Sequence, residues 1–505
     1  MVECVTHHSQ CAKPGHTPLP SRVIDVSIRD DGRDPAVYLS RGESARYVTL
    51  SYCWGGDQEL VSTMSNIDEL VRGIPTIALP PTIRDAIRVT RELGCRYLWV
   101  DALCILQDSD EDKAREIGMM SQIYRNSYCT ISAASSPGVA HGFLEDRPYL
   151  GTEGDWFALP YACPDSDIVG RIHVRTEVTY QPQREPINAR GWTLQEHLLP
   201  PRILVYDTYR LRWECQSTIL SDGGAPNLLR TLDFGRIPES LRAKATERET
   251  EALSHSWSKE DDDTLYRCWN STINVYSRRQ LSVATDKLPA ISAFAEQYGT
   301  LSGDTYIAGL WKRHIGSTLM WSCQTFDDTK GSLTRPPFYR APSWSWASLD
   351  YRQIFTGSMT PWTGDIELVH YDVKPVSLLV PYGAVTEGAS ITLCGMTRTV
   401  VALLDKGSHS RYHLWDVEGG IQLAQYVPDC YQELPRQAAA GETHEMLYCL
   451  AVTRDPIGTD TKSIDGLVLR NSGTDYYARI GTFSVTSENV HAWLQGSNKA
   501  TVTII

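Results

Sequence analysis

Three short segments rich in β-branched and aromatic residues constrain the fold most. They are "RYVTLSYCW" (46–54), "CRYLWVDALCIL" (95–106) and "SYCTISAAS" (127–135). Between them lie two segments with helical spacing. In the first, Ile83, Ala86, Ile87 and Leu93 form a stripe bounded by Pro80–Pro81 and Gly94, and Thr82 with Asp85 resembles a capping box. In the second, "DSDEDKAREIGMMSQIYRN", acids crowd the start, where they suit the positive end of a helix, and Ile117, Met120, Ile123 and Tyr124 make the stripe. Alternating strand and helix predicts an α/β domain with a parallel sheet and right-handed crossovers, its strands at 47–53, 97–101 and 128–133. Ligands in such sheets sit beyond the carboxyl ends of the strands. That edge would gather Trp54–Asp57, Asp101–Cys104 and Ser132–Ser136.

The remainder reads differently. Residues 137–189 look irregular, with a short strand in "GRIHVRTEV". An amphipathic run, "RGWTLQEHLLPP", precedes two strands in "RILVYDT" and "RLRWECQ". Residues 236–263 end in "KEDDDTL" and read as a solvated helical linker. Two helices around a turn follow to residue 300. From about 365, short alternating segments with Gly and polar turns predict a mainly antiparallel β region. The expected organisation is an α/β domain over 1–235, a helical and aromatic-rich connection over 236–350, and a β-rich C-terminal domain over 351–505. "RAPSWSWASLD" is too aromatic to be left in water, so Trp344 and Trp346 are expected at a junction where these parts pack.

Composition excludes some functions. A net charge of −13 argues against nucleic acid and anionic membranes as partners. No run approaches the roughly 20 apolar residues of a membrane span, and the N-terminus has no secretory pattern. Thirteen cysteines, an odd number, then read as reduced thiols in the cytoplasm. Cys4, His7 or His8, Cys11 and His16 are zinc-type ligands in number, but their spacing matches no tight C-x2-C pattern. The expectation is a surface arm without metal. Fourteen Trp and 25 Tyr against 8 Phe suit cleft walls and interfaces as well as cores.

The blocks "YVTLSYCWG", "TIRDAIRVTRELGCRYLWVDALCILQDSDEDKAREIGMMSQIYRNSYCTISAAS" and "NARGWTLQEHLLPPRILVY" resemble, in order and spacing, the heterokaryon incompatibility (HET) domain of filamentous fungi. "RAPSWSWASLD" and neighbouring pieces resemble the tails that often follow it. That family is itself similar to the TIR fold, so the resemblance implies a TIR-like sheet flanked by helices. "LSYCWGGD" looks like the serine–aromatic pair and glycine loop of TIR domains. "GWTLQE" looks like the segment carrying the catalytic glutamate of those that cleave NAD, which places that role on Glu196.

The residues at this edge suit the chemistry that the resemblance implies. A carboxylate near a ribose can stabilise an oxocarbenium-like transition state; Glu196 and Asp101 are the candidate catalytic groups. Tyr52, Trp54, Gly55, Gly56, Asp57 and Trp192 are candidates for binding, with the glycines offering backbone N–H groups to a pyrophosphate. No bound cofactor is required, NAD entering as a substrate. The plainer readings pair Glu196 with Arg190 or Arg202, make Asp101 a turn cap, and put Trp54, Trp99 and Trp192 in the core. Cys53 and Cys104 read as small buried hydrophobes. Three functions stay open: an incompatibility effector acting through NAD cleavage or nucleotide binding, a HET-fold biosynthetic enzyme for cyclisation, dehydration or rearrangement of a small molecule, and a non-catalytic module that self-associates.

Overall fold

The computed structural model describes residues 1–9, 11–13, 15–27, 33–147, 156–162, 169–175, 184–222, 236–249, 257–323, 335–350, 354–355, 365–404, 412–417, 420–430, 445–457 and 460–505. They fall into two compact units, Met1–Glu116 with Gln122–Arg230, and Ile117–Ser121 with Thr231–Ile505. No helix among the described residues is long and apolar enough to cross a membrane.

The first unit is built on an eight-stranded sheet. Its strands are β1 (Arg22–Asp25), β2 (Ala36–Leu39), β3 (Tyr47–Ser51), β4 (Tyr97–Trp99), β5 (Cys129–Ser132), β6 (Arg202–Tyr206), β7 (Leu211–Cys215) and β8 (Ile219–Ser221). Their order across the sheet is β8-β7-β6-β5-β3-β4-β1-β2. The four central strands β6, β5, β3 and β4 are parallel, with Ser51 beside Ser132 and Thr49 beside both Trp99 and Thr130. The parallel sheet read from the sequence is therefore a mixed one, because β1, β2, β7 and β8 pair antiparallel at its two margins. Every residue of β3, β4 and β5 is buried, as expected of strands covered on both faces.

Helix α1 (Pro81–Glu92) carries the chain from β3 towards β4, and α2 (Asp101–Cys104) and α3 (Asp110–Arg125) follow β4. The start of α1 is set by proline at its first turn, not by the Thr82–Asp85 box. Asp85 instead accepts from the backbone N–H groups of Phe143 (2.7 Å) and Leu144 (3.2 Å). In α3 the Ser109 hydroxyl caps the Asp112 N–H, and Asp110, Glu111 and Asp112 fill the first turn. The segment read as irregular contains a hairpin of Trp156–Ala162 with Val169–Arg175.

The second unit opens with α5 (Glu239–Glu249), α6 (Lys259–Tyr276) and α7 (Ser292–Ser302), the label α4 being kept for Thr193–Leu198 in the first unit. "KEDDDTL" is not linker. It is the first turns of α6, where Ser258 and Asp261 form a capping box and the acids meet the positive helix end. Trp344 and Trp346 are buried within this unit, with Trp346 donating to the Gly309 carbonyl (2.8 Å) and the Trp344 carbonyl accepting from Trp321 (2.9 Å).

Its sheet contains β9 (Glu367–Asp372), β10 (Ser390–Leu404), β11 (Tyr412–Trp415), β12 (Gln422–Pro428), β13 (Met446–Ile457), β14 (Asp460–Asn471), β15 (Tyr476–Val485) and β16 (Asn498–Ile504). The antiparallel ladder runs β10-β11-β12-β15-β14-β13 and returns from β13 to β10, so the sheet closes on itself. Closure removes the unpaired edges that an open sheet would expose. Val400, Leu414, Leu423, Leu447, Val468 and Phe483 belong to its apolar core. Trp493 of α8 (Val490–Gln495) stacks on Phe483 at 4.7 Å between ring centroids.

Candidate active site

The chain goes from β3 to β4 on one side and then to β5 on the other, so strand order reverses at β3. A crevice forms at such a switch point, outside the carboxyl ends of the strands. Ser51 is the last residue of β3, and its hydroxyl donates to the Glu196 carboxylate at 2.5 Å. Glu196 lies on α4, whose Thr193 hydroxyl is anchored to the Ile187 and Arg190 carbonyls. Glu196 is only 7 % exposed. The Tyr124 hydroxyl, from α3, lies near the same carboxyl group and donates to the Leu50 carbonyl at 3.3 Å.

Asp101, the first residue of α2, receives the indole N–H of Trp54 at 2.8 Å and the N–H of Ala102 at 2.7 Å. The Tyr52 hydroxyl lies near its carboxylate and is hydrogen-bonded to the Gln58 side chain. Arg190 brings positive charge towards both carboxyl groups and donates to the Tyr52 carbonyl at 2.8 Å. Burial and the neighbouring Asp101 charge push Glu196 up to about 7. Burial likewise raises Asp101, opposed first by the Trp54 hydrogen bond and then by Arg190. Near neutral pH the two carboxyl groups favour sharing one negative charge, since two unscreened like charges in a desolvated site repel.

Gly55 follows with φ +77°, a region few side chains tolerate. A Cβ there would stand 2.6 Å from the Gly138 Cα, so the loops after β3 and β5 touch backbone to backbone. Gly56 and Asp57 are exposed at the loop tip, and Trp192 sits half-buried at the N-cap of α4. The structure thus brings together Glu196, Asp101, Tyr52 and Trp54, and adds Ser51, Tyr124 and Arg190. Tyr124 had read as part of a core stripe, and Ser51 as one half of a serine–aromatic pair without a role. Of the two basic partners weighed for Glu196, Arg190 is the one beside it; Arg202 instead donates to the Tyr128 and Ala12 carbonyls. The N-terminal arm runs at the surface, with Val2, Thr6, His7 and His16 exposed, but it turns Cys4 and Cys11 inward to 2 % and 5 % exposure.

An α/β domain with paired carboxyl groups at its switch point defines the class. Residues 47–196 match the model of the family described as heterokaryon incompatibility protein (HET). The matched stretch runs from the start of β3 to Glu196 itself. Heterokaryon incompatibility protein 6, OR allele, of Neurospora crassa is 30% identical to this chain over 90 residues, covering 16% of this chain and 13% of that protein. No solved structure matches the chain.

Proposed function

We propose that the strand-end centre of the HET domain is a catalytic site that cleaves the N-glycosidic bond of NAD, and that the chain acts as an incompatibility effector through it. The observation that carries this reading is the Glu196–Asp101 pair at the switch point, with Glu196 buried, Ser51 bonded to one carboxyl and Trp54 to the other. In the reaction the C1′–N bond breaks, nicotinamide leaves with the bonding electrons, and water adds to C1′ with release of a proton to give ADP-ribose. The ionised member of the pair stabilises the oxocarbenium-like transition state, and the protonated member donates a hydrogen bond to a ribose hydroxyl. The exposed loop at Gly55 and Gly56 would offer backbone N–H groups to the pyrophosphate.

The test is incubation of the purified chain with NAD and chromatography for nicotinamide. Release by the wild type, lost in Glu196→Gln, supports the reading; intact NAD with the wild type overturns it. A second reading rests on the same carboxyl group. Held near pH 7 by burial, Glu196 suits a proton donor in cyclisation, dehydration or rearrangement of a small organic substrate. Turnover of such a substrate by a chain that ignores NAD would select it.

A further inference from the structure

A second cluster lies elsewhere in the first unit, at the N-terminal arm. Helix Val2–His7 carries Cys4; His8 follows at its C-cap, and Cys11 comes three residues later. Cys215 ends β7, 207 positions from His8. The ligand atoms of Cys4, His8, Cys11 and Cys215 all lie within 4.8 Å of one another. His8 Nδ1 is 3.6 Å from Cys11 Sγ and 3.5 Å from Cys215 Sγ. A tetrahedral zinc site with Zn–S near 2.3 Å and Zn–N near 2.0–2.1 Å has N–S edges of about 3.6 Å. The observed separations are those edges.

We propose that Cys4, His8, Cys11 and Cys215 bind one structural zinc ion. Three thiolates and an imidazole form a closed set with no open position, which fits a structural rather than a catalytic metal. The surroundings suit the charge. Three thiolates on a divalent ion leave one net negative charge, and the buried Arg202 guanidinium lies beside Cys4. The Ser217 hydroxyl, 3.4 Å from Cys11 Sγ, supplies a further polar neighbour of the kind that orients thiolate ligands. Trp213 packs against the three cysteines and screens them. The ion would tie the arm to the antiparallel margin of the sheet, far along the chain from the arm's own residues. His7 is excluded as a ligand, since its ring turns to the exposed Thr6 hydroxyl at 2.9 Å.

The full chain, purified under reducing conditions and freed of loose metal, is measured for zinc by mass spectrometry. One zinc per chain is expected. His8→Ala should weaken zinc retention against a chelator about tenfold or more, whereas His7→Ala and Cys268→Ser should not. Cys215→Ser should lose the metal. Should that variant fail to fold, replacement of zinc by cobalt in the wild type reads the same site, with thiolate-to-cobalt charge-transfer and tetrahedral d–d bands expected. A reduced wild-type chain that neither holds zinc nor develops those bands with added cobalt overturns the proposal. So does a disulfide among Cys4, Cys11 and Cys215 in the reduced preparation, or a His8→Ala variant that keeps zinc as the wild type does.

Discussion

Each compact unit keeps ionised groups in its interior, and the two solve the problem in opposite ways. In the second unit Arg479 is fully buried and fully answered. Its guanidinium donates to both oxygens of Asp429 at 2.8 and 3.0 Å and to the carbonyls of Leu319 and Trp321 at 2.5 and 2.6 Å. It also lies 3.4 Å from the Trp321 ring centroid. In the first unit Glu196 and Asp101 put two like-charged groups in one desolvated place, and Arg190 offsets them only in part. A buried charge whose every donor is met holds a fold together. Like-charged acids held close, one of them pushed to about 7, work against folding and mark a place kept for chemistry.

The sharpest way to break that contrast is Arg479→Met. It strips Asp429 of its hydrogen-bonded partner and leaves only Arg335, 3.9 Å away, and breaking a buried pair costs roughly 3–5 kcal/mol. The urea midpoint of the β-rich unit should fall accordingly. Asp429→Leu added to Arg479→Met should recover most of the loss, because replacing both members removes the stranded charge. A single variant as stable as the wild type would show that Arg479 is no keystone.

Glu196→Gln comes next, and the comparison requires the opposite sign. The folded pKa of Glu196 lies above its ordinary value of 4.5, so the native state holds a proton the unfolded chain has released. Stability therefore declines as pH rises from about 4.5 through about 7, and above that the full cost is roughly 3 kcal/mol. Gln carries no charge to desolvate. The variant should melt with the wild type near pH 4.5 and above it at pH 8, while losing any nicotinamide release. A variant destabilised at pH 8 would place Glu196 in the same structural class as Arg479.

The legibility of the two centres in the sequence follows the range over which their residues act. The three inner strands were readable because β-branched and aromatic residues cluster within five or six positions of one another. Strands β1 and β2, four residues each, carry too little pattern; β1 even begins with Arg22, which is buried by pairing with Asp112 of α3. The acids of "KEDDDTL" were visible, but a solvated segment and the first turn of a helix have the same composition. Glu196 stood out only through family resemblance. Ser51 and Tyr124 gave no local signal, since a serine ending a strand and a tyrosine on a helical stripe are ordinary, and only the fold brings both near one carboxyl group. Cys215 was out of reach for the same reason: three candidate ligands are local and the fourth arrives from another strand. The closure of the C-terminal sheet depends on β13 returning to β10, a pairing no periodicity encodes.

Gly55→Ala tests the loop contact above the crevice. Its φ of +77° disfavours a Cβ by about 1–2 kcal/mol, and the 2.6 Å approach to the Gly138 Cα leaves backbone, not a flexible side chain, to give way. A loss of about 2–3 kcal/mol is expected, together with weaker nucleotide binding. Gly42→Ala, at a similar φ of +87° but where a Cβ meets nothing, carries the backbone strain alone and should cost less. Equal costs at the two positions would mean that the Gly55–Gly138 contact does not hold the crevice.

The smallest change is Ser51→Ala, and it reaches the centre of the argument. The Ser51 hydroxyl hydrogen-bonds the Glu196 carboxylate and is the largest influence lowering its pKa against burial and Asp101. Removing it takes away a stabiliser of the charged form, so Glu196 should titrate higher still, visible in the carbon-13 shift of its carboxyl group. The change in stability has two opposing parts at pH 5, where Glu196 is protonated: a lost hydrogen bond of about 1 kcal/mol, and relief from desolvating a hydroxyl. At pH 8 the hydrogen bond is to a charge and worth about 1.5–3 kcal/mol, so Ser51→Ala should destabilise more at pH 8 than at pH 5. That is the reverse of Glu196→Gln, whose benefit appears at pH 8. Two variants on one hydrogen bond with opposite pH dependence can arise only if the charge on Glu196, and not its packing, is what the site has to bear.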